Sequence, residues 1–112
     1  MIVAVATAVL TSLSGQTAPL TGYDSAVRCA GLTEAASELE GGESARGRRL
    51  FDAALYWSLA ASQAGDASGR TLSAIDADLT RARIRAVREF AAGETAAQDA
   101  LSDCLSRTPD LG

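Results

Sequence analysis

Histidine and lysine are both missing from this chain of 112 residues. Without histidine, the sequence lacks the side chain that most often acts as a general base near neutral pH and most often ligates metals. Its two cysteines, Cys29 and Cys104, are too few for a zinc site of thiols and imidazoles. They also stand too far apart for a Cys-x-x-Cys redox or haem-attachment motif. Aromatic rings are scarce: Tyr23, Phe51, Tyr56, Trp57 and Phe90 are the whole set. A core of alanine and leucine buries little area per residue, so a domain of this size is marginal without a staple. No P-loop, dinucleotide fingerprint or Gly-x-Ser-x-Gly elbow occurs, and the many hydroxyls have no imidazole to activate them. Asp76 and Asp78 diverge at i, i+2 on a helix and do not form an acid/base pair by themselves. No catalytic residue, metal ligand or cofactor is assigned. The net charge of −4 offers no global attraction to nucleic acid or anionic membrane.

What is present begins with an uncharged segment, Met1 to Ala18. Its apolar run from Ile2 to Leu13 has the length of a signal-peptide core and is too short to span a bilayer. Residues 1–18 are therefore expected to be a signal peptide and 19–112 a single helical domain. Cleavage is expected after Ala18, although Gln16 is a poor −3 residue; cleavage after Ser14, with Ser12 at −3, is the alternative. A basic start is missing, and an apolar first helix or strand of the folded domain is the competing interpretation. Export places the protein in the periplasm or outside the cell.

From Thr21 to Arg107 there is no alternating apolar pattern, so strands are not expected. Helical periodicity recurs four or five times. A first helix from about Tyr23 to Leu39 puts Cys29, Leu32, Ala36 and Leu39 on one face, and Gly41 and Gly42 end it. Glu43 to Arg49 reads as a polar connector, helical in part. A second helix carries Leu50, Phe51, Ala54, Leu55, Trp57 and Ala61 as a wide buried face, closed by Gly65. Asp66 or Thr71 caps a third helix with Leu72, Ile75 and Leu79 inward. Thr80 caps a fourth with Ile84, Val87 and Ala91 inward, ended by Gly93, unless the two are one element bent near Leu79. Thr95 and Gln98 form a capping box for the last helix, whose inner face holds Ala97, Leu101, Cys104 and Leu105. Pro109 forbids its extension. The expectation is an all-α antiparallel bundle of four to five helices. Cys29 near the start of the first helix and Cys104 near the end of the last then meet in a disulfide, provided the chain is exported.

The stretch Trp57-Ser-Leu-Ala-Ala61-Ser-Gln-Ala-Gly65-Asp-Ala67 resembles a Sel1-like repeat, a relative of the tetratricopeptide repeat. Trp57, Ala61, Ser62, Gly65, Ala67, Gly69 and Leu72 match that pattern, whereas Ser73 stands where the family usually has glycine. The resemblance covers residues 50–79, about one repeat. Members of the family are helical solenoids used for protein–protein contact, so it implies a binding role.

Arg81, Arg85 and Arg88 line one edge of the fourth helix and are candidate partner-binding residues, because guanidinium offers a two-pronged fork to anions. Asp78 and Glu89 lie at pairing distance and favour a solvated, salt-bridged face instead. Arg46, Arg48 and Arg49 form a second cluster that can pair with Glu38, Glu40 or Glu43, or contact membrane headgroups. The function expected is that of a non-enzymatic exported protein binding another macromolecule, a protein of the bacterial envelope. The rival is a carrier holding an apolar small molecule between helices. A third class, an enzyme using Asp, Glu or Tyr, would require two carboxylates converging in a cleft.

Overall fold

The computed structural model describes residues 22–110, and the expected leader lies outside them. Among the described residues there are four helices: α1 (Tyr23–Glu40), α2 (Ala45–Ala67), α3 (Leu72–Ala91) and α4 (Thr95–Ser106). No strand occurs among the described residues. The all-α bundle is as the sequence predicts, and a Cys29–Cys104 disulfide joins first helix to last, with Cα atoms 5.5 Å apart.

Helix ends follow local chemistry. α1 stops at Gly41, whose φ of 82° is left-handed and whose N–H donates to the Ser37 carbonyl 2.9 Å away. α2 begins earlier than the apolar stripe suggests. The Ser44 hydroxyl accepts from the Gly47 N–H at 2.9 Å, so the arginine-rich connector is helical from Ala45 onward. Gly65 does not close α2, which runs on to Ala67; it is buried inside the helix. There the missing side chain makes room for Ile75 and the Tyr23 ring. Thr71 caps α3 by accepting from the Ala74 N–H at 3.1 Å. No cap forms at Thr80, because Leu72–Ala91 contains neither Gly nor Pro and continues as one helix. The expected Thr95–Gln98 capping box is also absent. Gly93 takes φ 69° and Glu94 the extended cap conformation, which makes Thr95 the first residue inside the helix.

α1 is the hub. It packs against all three other helices, most extensively against α2 and then α3. Its buried residues, Ala26, Cys29, Ala30, Gly31, Leu32, Thr33, Ala35 and Ala36, therefore run most of the way round it. Small side chains let the neighbours approach closely, and the large ones fill what remains: Trp57 and Leu50 are fully buried in one cluster with Leu32, and Ile75 is buried against Gly65. The expected stripes need correction on this account. Leu39, Phe51, Leu55, Leu72, Ile84 and Ala91 all point to solvent. α3 turns a single stripe inward, with Ile75 and Ala86 buried and Leu79, Ala82 and Phe90 partly so. Treating its second half as a separate helix displaced the frame. α4 is as expected, with Ala97, Leu101 and Cys104 buried and Leu105 packed at the edge.

Candidate functional site

The α2 helix presents two faces of different origin. Its inner face holds Leu50, Ala53, Ala54, Trp57, Ala61 and Gly65, all buried. On the outer side Phe51, Leu55 and Leu59 recur at i, i+4 and i+8 and are 54%, 55% and 59% exposed. Three large apolar side chains in a row on one helix are a patch and not scattered exposure. A shallow open groove runs along its edge, where Phe51, Ala54 and Leu55 face Glu34, Ser37 and Glu38 of α1. The Ser58 hydroxyl donates to Glu34 at 2.7 Å and fixes that rim. Charged residues close both ends of the row, Arg48 before it and Asp66 after it, both exposed. The hydrophobic count of α2 was legible in the sequence. Its division into a buried and an exposed half was not, because Phe51 and Leu55 sit only one position from Leu50 and Ala54.

Arg81, Arg85 and Arg88 lie together on the outer side of α3, all exposed. Arg81 pairs with Asp78 one turn earlier. Arg85 Nε lies 3.2 Å from Glu89 Oε2. Arg88 makes no ion pair with a described residue. Glu89 also receives Arg28 of α1 in a two-pronged contact at 2.6 and 3.2 Å. Hydrogen bonding from Arg28, then the charges of Arg28 and Arg85, hold the Glu89 carboxyl below its ordinary value despite partial burial. At the other end of α3, Tyr23 Oη donates to Asp78 Oδ2 at 2.7 Å under the Arg70 guanidinium, which lies 3.9 Å from the ring centroid. Burial, then the bond to Asp78, pushes the Tyr23 phenol up to about 12. The same bond, with Arg81, lowers Asp78. These contacts brace α1 to α3. They join residues 55 and 61 positions apart, which no local spacing announces.

The second arginine cluster is divided. Arg46 reaches Glu40 at 3.3 Å, and Arg48 donates to the Glu43 carbonyl at 2.9 Å. Glu38 pairs across to Arg83 of α3 at 3.6 Å. Arg48 and Arg49 line an open groove of about 810 Å³ with Asp52, Leu105, Thr108 and Asp110. Next to it the Trp57 indole N–H donates to Thr108 Oγ1 at 2.8 Å, and that hydroxyl donates to the Cys104 carbonyl at 2.8 Å. Arg107 Nη2 lies 3.3 Å from Cys29 Sγ and 3.0 Å from Asp103. Among the described residues, no group of three or more Cys, Asp or Glu is placed to hold a metal, and no helix is long and apolar enough to cross a membrane. No family model, curated protein or solved structure matches the chain.

Proposed function

We propose that the chain is an exported, non-enzymatic helical protein that acts by binding another protein in the bacterial envelope, through the outer face of α2. The row of Phe51, Leu55 and Leu59, each more than half exposed, carries this reading. An exposed apolar row with polar rims is the anatomy of a recognition surface. The resemblance to Sel1-like repeats, which serve protein contact, points the same way. So does the disulfide, since such bonds persist in oxidising compartments outside the cytosol. The carrier reading would ask for an enclosed apolar cavity. Among the described residues the grooves open to solvent, and the space between helices is taken by Leu32, Leu50, Trp57 and Ile75.

The test is capture from envelope extract with the tagged chain. Leu55→Glu is expected to reduce the captured protein by about tenfold or more, as loss of a central apolar anchor does. Leu72→Glu, exposed at the start of α3, is expected to leave capture unchanged. Equal capture by wild type and Leu55→Glu would remove α2 from the reading. Export is tested separately: N-terminal sequencing of the mature protein should find the leader gone, and an intact Met1 in that material would refute it.

A further inference from the structure

The outer face of α2 is self-complementary. Along it, Arg48, Asp52, Leu55, Leu59, Ser62 and Asp66 follow one another at steps of 4-3-4-3-4, the spacing that keeps residues on one helix face. A two-fold axis crossing this outer face at the level of residue 57, on the side opposite the buried Trp57, relates these positions in pairs. Leu55 then meets Leu59 of a second copy, and Asp52 meets Ser62. At both ends Arg48 meets Asp66. Each of these pairings is apolar with apolar, donor with acceptor, or positive with negative. We infer that the partner on this face is a second copy of the chain, with the two α2 helices packed antiparallel. The inference rests on the reading of α2 as a protein-binding surface and names its occupant.

The charges also select the direction. A parallel pair would bring Arg48 onto Arg48 and Asp66 onto Asp66, which repels at both ends. The antiparallel pair is isologous, so the one contact closes the assembly at two copies. Arg48 is available for it, since it spends one N–H on the Glu43 carbonyl and a guanidinium carries five. The line from Arg48 to Asp66 spans about 27 Å of helix, with its two leucines in the middle and its charges at the solvated ends. Such a contact is smaller than the roughly 800 Å² per partner of tight complexes, so the dimer is a weak, reversible one.

Sedimentation equilibrium of the full chain, from low micromolar to near-millimolar concentration, tests this. A monomer–dimer equilibrium is expected. Arg48→Glu and Asp66→Arg, each alone, should weaken it about tenfold or more, because each sets like charges against each other at both ends. The double variant Arg48→Glu/Asp66→Arg should return to within about threefold of wild type. Neither substitution threatens the helix: an acidic residue suits the first turn of α2 and a basic one the last. Helix content by circular dichroism should therefore stay constant across the set. A monomer at every concentration, or a double variant no tighter than the singles, overturns the inference. If the chain is monomeric yet captures a different protein that Leu55→Glu fails to capture, the second-copy inference falls and the protein-binding reading stands. If it is monomeric and Leu55→Glu changes no capture, both fall.

Discussion

Glu89 is held from two sides, by Arg28 across the helix interface and by Arg85 one turn earlier on its own helix. An exposed ion pair contributes little, but this carboxylate is mostly covered and its contact with Arg28 is two-pronged. Its pKa is lowered on folding, so its contribution is complete above the ordinary value of 4.5 and is lost as the pH falls through the depressed folded value. Thermal unfolding followed at a series of pH values should therefore show Tm dropping below about pH 4.5. Glu89→Gln should lower Tm at pH 7 and flatten the drop, and a fall as steep as that of wild type would assign it to other carboxylates. Asp78 shifts in the same direction and remains in both proteins, so the difference between them isolates Glu89. At this scale the sequence was only half legible. Asp78–Arg81 and Arg85–Glu89 were visible as i, i+3 and i, i+4 spacings. Arg28–Glu89 and Tyr23–Asp78 were not, since they exist only once α1 and α3 lie side by side.

Where α1 meets α3, the two helices approach closely at Gly31. A Cβ added at Gly31 would lie 2.5 Å from the carbonyl carbon of Ala82 and 2.7 Å from its Cβ. Backbone cannot step aside as a side-chain tip can, so Gly31→Ala forces the helices apart. A loss of about 1–3 kcal/mol is expected, read as a lower urea midpoint at unchanged slope. Gly42→Ala, with nothing within 4 Å, should be close to neutral. Helix existence was legible from the 3.6-residue period, and the cap at Thr71 from its hydroxyl. The faces were less so. α1 is surrounded by three helices, so its burial has no single side and its residues show little amphipathic contrast. In α2 the reverse holds: apolar residues on both sides merge into one apparently wide stripe.

For the whole molecule the Cys29–Cys104 bond is the main constraint. It was legible because both cysteines fall on inward stripes near chain ends that an antiparallel bundle brings together. The chain-entropy account gives roughly 4–4.5 kcal/mol for a loop of this size, a large part of the stability of a small domain. Cys29→Ser/Cys104→Ser is expected to lose about 2–5 kcal/mol and to lower Tm by about 10 °C or more, measured by calorimetry. A shift of only a degree or two would mean that the helix contacts suffice without the bond. The bond also makes a covalent ring of everything from Cys29 to Cys104, and that ring contains the exposed turns at Gly42–Ser44 and Ser68–Arg70. A protease that cuts once in either turn opens the backbone without releasing a fragment. The nicked protein keeps its mass, apart from one added water, until it is reduced, and only then separates into two chains.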